Sequence, residues 1–412
     1  MPNLDALIIG GGAAGIAAAR VLHDAGLDTL LIEAKSRLGG RAHTVVLDGH
    51  PLDAGCGWLH SARRNPWTTL AGHYGLTVDR SPTSWRTQWR DLGFSALEQE
   101  AFGKAWGRME QAAQAALAGP DRPLAKFVRD ERWRPLLDAI SGYANGAPLR
   151  DVSLHDWAAY EDAATGDNWT VREGYGTLIT RHAQGLPVEL DTRATLIHHG
   201  GARLRVETDR GTIDAARVIV ALPTPALARE AVCFDPSLPD KHAAAADLPL
   251  GLADKIFLRV EGPALPRNGH LIGNPYDAST ASYRLSPFGW PVVEAFVGGD
   301  AAEALEREDD RAAFAFATGE LTGLLGSDWR FAPLACTRWR GDADIGGSYS
   351  HARIGAAGQR AVLAAPVDDR LFFAGDACSG HDFSTAHGAY QTGVDAAQAV
   401  LASLGRSGTT AR

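Results

Sequence analysis

The chain has 412 residues, a net charge of −9, 45% hydrophobic and 22% charged residues, enough length for about two to three domains with large cores. The acidic balance disfavours nucleic acid as a partner, and no apolar run approaches the roughly eighteen residues of a membrane span. Four widely spaced cysteines, Cys56, Cys233, Cys336 and Cys378, form no CxxC pair, which argues against a metal site and a disulfide framework. The N-terminus lacks a basic signal-peptide region and the tail from Leu404 to Gly408 is polar, so the expectation is a soluble cytoplasmic protein without a membrane partner.

Leu4 to Ile9 reads as a buried strand, short and continuously apolar. It runs into Gly10-Gly11-Gly12-Ala13-Ala14-Gly15, a GxGxxG that opens an Ala-rich helix reaching about Ala25, and Thr29 to Ile32 follows as a second strand. Gly10 permits the tight turn, Gly12 lets backbone approach a pyrophosphate, and Gly15 lets helix pack on strand. The helix N-terminus adds free N–H groups and the positive end of a dipole. Glu33, eighteen residues past Gly15, suits the adenosine ribose hydroxyls. Strand, turn, helix, strand and acid in this order specify a dinucleotide site far better than the glycines alone.

The next segment, Glu33-Ala34-Lys35-Ser36-Arg37-Leu38-Gly39-Gly40-Arg41, resembles the E-A-x-x-R-x-G-G-R of two-dinucleotide-binding flavoproteins. That resemblance implies FAD, with Gly40 and Arg41 beside the diphosphate. Thr44 to Asp53 reads as a hairpin turning at Asp48-Gly49. Gly55 and Gly57, next to Trp58, suggest a backbone passing close to something flat. Residues 95–118 and 124–142 carry a helical period, with a further helix expected between Asp151 and Asp162. Glu173 to Leu178 opens a helix. Val188–Leu190, Thr195–Ile197, Leu204–Thr208 and Gly211–Asp214 read as a meander, and Val218 to Pro223 as a separate buried parallel strand. Strands are expected near 255–260, 282–285 and 292–297, a helix over 308–326, a strand from Arg370 to Asp376, and a last helix from about His387 to Leu404. No internal repeat is evident.

Gly57-Trp58-Leu59-His60, Asn65-Pro66, the Leu371 to Asp376 strand and Phe383-Ser384-Thr385-Ala386-His387-Gly388-Ala389 complete a set that resembles the flavin-containing amine oxidases, most closely the polyamine oxidase branch. The likeness is strong at both ends and in the meander, and loose over 81–165. It implies an α/β fold: a two-dinucleotide-binding, Rossmann-like FAD domain (1–80, 175–240 and 356–412) interleaved with an α+β substrate-binding cap domain (81–174 and 241–355).

The resemblance also assigns roles. Gly10, Gly12, Ala14, Gly15, Glu33, Ala34, Gly40, Arg41, Gly57 and Trp58 fall on cofactor-binding positions. Ala194 meets adenine through its backbone, and Asp376 takes a ribitol hydroxyl. Ser384, Thr385 and Ala386 start a helix aimed at the flavin pyrimidine edge, where its dipole stabilises the reduced state. Trp339 packs near the isoalloxazine. Ser348 stands where monoamine oxidases carry the flavin-linking cysteine, so FAD is expected to be non-covalent. Thr385 replaces the second tyrosine of the aromatic cage, leaving Tyr349 as its one tyrosine.

Lys255, one of only five lysines, matches the lysine that holds a water against flavin N5; the alternative is an edge-strand lysine in solvent. His60 reads equally as a substrate-side hydrogen-bonding group and as an interior histidine. His387 reads as a structural cap of the last helix. Glu161, Asp162 and Asp167 read as a solvated loop, with binding of a distal ammonium as the alternative. The implied reaction is oxidation of an amine C–N bond by hydride transfer to flavin N5, with O2 reduced to hydrogen peroxide. The rivals are a flavin desaturase or dehydrogenase on a non-amine substrate, a non-enzymatic flavoprotein, and an L-amino-acid oxidase. The last would require a carboxylate-binding arginine where this chain has Trp58-Leu59-His60.

Overall fold

The structure, a computed structural model, describes residues 4–406; the end of the expected polar tail, Ser407 and Gly408, lies outside the described residues. The first strand, Leu4–Ile9, pairs in parallel with Thr29–Ile32 on one side and with Gly211–Val220 on the other. This is the centre of an eight-stranded sheet. Gly10 makes its turn at φ +106°, and a Cβ there would lie 2.5 Å from the Ala221 carbonyl oxygen. A Cβ on Gly15 would lie 1.9 Å from the Gly10 oxygen, so helix Ala13–Asp24 rests directly on the turn. The same helix accepts the last one, Ala386–Ser403, at equally short range: a Cβ on Gly393 would come within 2.1 Å of the Ala14 oxygen. Small residues on both helices bring the last element of the chain against the first.

A second, five-stranded sheet is built from Ala253–Glu261, Gly269–Ile272, Ser282–Leu285, Val292–Gly298 and Arg330–Cys336. One face, with Ile256, Leu271, Tyr283 and Ala295, packs on Ala313, Ala317 and Leu321 of helix Asp310–Leu325. The alternate positions on the other face carry Lys255, Arg284, Glu294 and His270. Period-two alternation thus separates an apolar face from a polar one.

Several expectations are corrected. The last strand of the meander, Gly211–Asp214, and the following parallel strand are one strand, Gly211–Val220, whose first half pairs with Leu204–Thr208 and whose end pairs with Leu371–Phe373. Val188–Glu189 leaves the meander and pairs with Thr29–Ile32. The helix expected over 124–142 starts only at Arg134, preceded by two short 3-10 turns and running to Asn145. Pro135 fits the first turn of that helix but in its interior would lack a donor and clash with the preceding turn. His387 does not cap the last helix: the Thr385 hydroxyl accepts from the Gly388 N–H at 3.0 Å. Asn168–Val171 pairs with Leu59–His60 and Val78–Asp79, and the strands at 269–272 and 330–336 and helix Asp300–Arg307 were not foreseen.

Distant segments are stapled by buried charge. Arg360 grips Asp156 with Nε at 2.8 Å and a terminal nitrogen at 2.9 Å, while its guanidinium carbon sits 3.7 Å from the Phe383 ring centre. No helix among the described residues is long and apolar enough to cross a membrane. Because Arg360 and Asp156 are buried, removing either strands the other. Arg360→Met or Asp156→Ala is expected to lower the unfolding free energy by about 3–5 kcal/mol. Urea titration reads it as a lower midpoint; a loss under about 1 kcal/mol, the value of a surface pair, would contradict the assignment.

Candidate active site

A line of backbone and charge runs along the carboxyl ends of the central strands, where open α/β sheets bind ligands. At one end the Glu33 carboxylate accepts from the Gly11 N–H at 2.7 Å and the Lys35 N–H at 2.9 Å. Its carbonyl accepts from Thr192, which brings the buried Ala194 to the same end. Ala34 follows Glu33 in the half-buried connection. The turn then meets the second glycine pair: Gly39 donates to the Gly11 oxygen at 2.8 Å, and a Cβ on Gly40 would lie 3.3 Å from the Gly12 Cα. Next, Arg41 donates to Asp376 at 2.6 Å and to the Ser348 carbonyl at 2.9 Å. Asp376 also accepts from the Ser350 N–H at 3.0 Å. Burial alone would raise the Asp376 carboxyl, but the Arg41 charge and these hydrogen bonds outweigh it and hold the pKa below the ordinary range. Ser384, at φ +62°, donates to the Ser350 carbonyl. Thr385 and Ala386 then open the last helix.

Beside this line stands the polar face of the second sheet. Lys255 is 6% exposed, and its Nζ lies 2.8 Å from both the Asp53 carbonyl and a Glu294 carboxylate oxygen. A Cβ on Gly57 would sit 3.3 Å from that Nζ, so the glycine admits the lysine. The Asp53 carboxylate is held by the Thr44 hydroxyl at 2.6 Å and the Tyr175 and Gly176 N–H groups, and burial raises its pKa. Trp58 meets Trp85 edge-on at 4.7 Å and carries the Arg284 guanidinium 4.9 Å from its ring centre. His60 faces the Asn168 side-chain oxygen at 2.6 Å, and burial holds its pKa down to about 4.

Tyr349 donates to the Tyr143 carbonyl, and burial pushes its phenol up. The Ser348 hydroxyl donates to the Ala253 carbonyl and accepts from its N–H, each at 2.8 Å. Trp339 lies in the apolar core behind the sheet, its backbone N–H donating to Asp254 at 3.2 Å. Glu161 and Asp162 are exposed at a helix end, and Asp167 caps its own loop through the Arg63 N–H and Thr165 hydroxyl.

Comparison with known proteins places this arrangement. The family model for flavin-containing amine oxidoreductases matches residues 13–163 and 119–401. The chain belongs to this family. Polyamine oxidase 4 of Oryza sativa subsp. japonica is 31% identical, over 95% of this chain and 87% of its own length. Lysine-specific histone demethylase 1 homolog 2 of Arabidopsis thaliana is 28% identical, over 96% of this chain and 58% of that protein. A solved structure of putrescine oxidase bound to putrescine has the same fold, with a TM-score of 0.77 at 20% identity, covering 97% and 99% of the two chains.

The cofactor of this amine oxidoreductase is FAD, and the glycine turn fits it. A Cβ on Gly10, Gly15 or Gly393 would strike backbone, but a Cβ on Gly12 would meet no protein atom within 4 Å. Packing does not explain that glycine; the close approach of a diphosphate would. What the sequence reading missed are the partners of Lys255 and the half-buried Arg284. Glu294 carried a signal of its own kind, a lone acid in the apolar run from Val292 to Val297. With φ −81° the Gly12 backbone accepts a side chain. Gly12→Val is therefore expected to keep the fold and its melting temperature as apoprotein while losing FAD on purification. Retention of stoichiometric flavin would contradict the placement.

Proposed function

We propose that this amine oxidoreductase oxidises a C–N bond of a polyamine or another long-chain amine, with O2 as acceptor and hydrogen peroxide as product. The observation that carries this reading is Lys255, an ammonium buried beside Gly57 and next to the line of FAD-binding groups. The names of the relatives support an amine with more than one nitrogen. Bound FAD supplies the two-electron acceptor for hydride from the carbon bearing nitrogen and returns the electrons to oxygen. Ser348 offers only an engaged hydroxyl, in keeping with non-covalent attachment.

The chain's residues supply position and a dry environment. Two of the three Lys255 protons face Asp53 and Glu294; the third is free to hold a water or oxygen at the reacting face. Tyr349, anchored through its hydroxyl, presents a ring against which an alkyl chain packs. Because the Asn168 amide nitrogen is used on the Gly166 carbonyl, its oxygen faces His60 and fixes the proton on Nδ1. Nε2 then keeps its lone pair for an amine N–H. A neutral imidazole cannot supply an ionisation in the alkaline range, so the bound amine itself sets the pH dependence.

We also take the chain to divide as the sequence suggested, because residues 4–32, 188–235 and 371–373 share one sheet and 253–336 build the other. Free thiols at all four cysteines fit a reducing compartment, and we place the protein in the cytoplasm.

Anaerobic mixing with spermine, spermidine, their acetylated forms, putrescine and phenylethylamine tests the reading. Flavin absorbance should bleach with a long amine, faster as pH rises through the amine's pKa. If dithionite bleaches it and no amine does, the desaturase reading replaces this one. Lys255→Met is expected to slow turnover, retain FAD, and cost about 3–5 kcal/mol by stranding Glu294. Adding Glu294→Gln should restore most of that stability without restoring turnover; unchanged turnover in the single variant would remove Lys255 from the reaction.

A further inference from the structure

Arg284 is a half-buried cation that the reaction above does not use. It stands on strand Ser282–Leu285, paired in register with His270 on one side and Glu294 on the other. Its guanidinium lies between the rings of Trp58 and Phe288, 4.9 and 5.1 Å from their centres. One terminal nitrogen donates to the Asn268 side-chain oxygen at 3.0 Å, and its Nε is buried without a partner. The carboxylates facing it are committed elsewhere: Glu294 to Lys255, Asp79 to Arg267, and Asp53 to Thr44, Tyr175 and Gly176. Among the described residues Arg284 makes no ion pair. The Nε donor is what these neighbours leave unsatisfied, and a buried donor without an acceptor is costly unless a ligand or water completes it.

The second observation is independent. His270, 4% exposed, uses Nε2 on the Ser282 hydroxyl at 2.9 Å and leaves Nδ1 buried without a partner. Both side chains line one cavity, walled by Trp58 and Trp85. Arg284, Trp58 and Thr170 also line the adjoining cavity that contains Lys255. From strand spacing and rise, two strands over and one pair along puts Arg284 about 12 Å from Lys255, Cα to Cα, on the same face.

We infer that Arg284 and His270 form a subsite for an oxygen acceptor, a carboxylate or acyl oxygen, at the end of the substrate remote from the oxidised C–N bond. The inference rests on the amine-oxidase reading and narrows it: a free ammonium at that end would meet an unpaired guanidinium, whereas a carboxylate or amide oxygen satisfies it. The substrate class is an amine carrying a carboxylate or an acyl group at its far end. An α-amino acid, with its carboxylate next to the reacting carbon, does not span the separation.

The test is calorimetric titration of the FAD-loaded protein with hexanoate and with hexanamide, neither of which can be oxidised as an amine. Wild-type protein is expected to bind at least one of them; which one binds separates carboxylate from acyl recognition. Arg284→Met should weaken that binding about 10- to 100-fold, the worth of a charge-assisted hydrogen bond. Arg284→Lys, which keeps the charge and the fold but loses Nε, should also weaken it. Absence of binding to wild type, or equal binding to wild type and Arg284→Lys, would overturn the subsite. Anaerobic flavin reduction by hexamethylenediamine, its mono-N-acetyl derivative and ε-aminocaproate separates the two readings. Preference for a capped amine, lost in Arg284→Lys, supports the subsite. Reduction by the free diamine alone overturns it while leaving amine oxidation in place. Arg284-dependent binding of hexanoate with no reduction by any amine supports the subsite and removes amine oxidation.

Discussion

The site is organised around the cost of burying one ammonium. Taking the Lys255 charge out of water is worth several kcal/mol against folding, and Glu294 and the Asp53 carbonyl offset it, each at 2.8 Å. Each partner is fixed in turn. Glu294 lies on the strand paired with the lysine's own, and the Asp53 carboxylate ties the hairpin to the start of helix Tyr175–Arg181. One buried cation therefore holds the second sheet, the hairpin and a helix of the nucleotide layer in fixed relation. That relation sets how the polar face of the second sheet stands to the glycine turn and the Arg41–Asp376 pair.

The same device recurs where segments distant in sequence meet. Arg41 reaches Asp376, and Arg360 reaches Asp156, across hundreds of residues of sequence. In each case a bidentate or multiply bonded carboxylate absorbs the charge, so the link specifies one arrangement rather than merely adding attraction. Arg284 departs from this pattern. Its neighbours are spoken for, and it sits where the walls are aromatic.

The nucleotide half was legible because its signals are local. Strand, glycine turn, helix and acid follow one another within forty residues, and Gly10 and Gly15 answer to close backbone contacts while Gly12 leaves open space. Lys255 was legible through its match to the family's lysine, whereas Glu294, a lone acid in the apolar run from Val292 to Val297, went unread. The misreadings were non-local. Nothing within Val188–Glu189 distinguishes a meander strand from a parallel neighbour of Thr29–Ile32, since periodicity reports which face is buried and not which strand lies alongside. The period over 124–142 persisted through Pro135, and the backbone, not the apolar pattern, decided where the helix began. Arg284 gave no warning at all. An arginine alternating with apolar residues in a strand reads as a solvent-facing position until the sheet's second face proves to be covered.

The proposed reaction oxidises the amine carbon and passes its electrons to oxygen. The most direct measurement follows O2 uptake, hydrogen peroxide and aldehyde together during turnover of an amine that bleaches the flavin. Equimolar consumption and formation of the three is the result predicted here. Flavin reduced by the amine but reoxidised only by an added electron acceptor, with no peroxide, would contradict it.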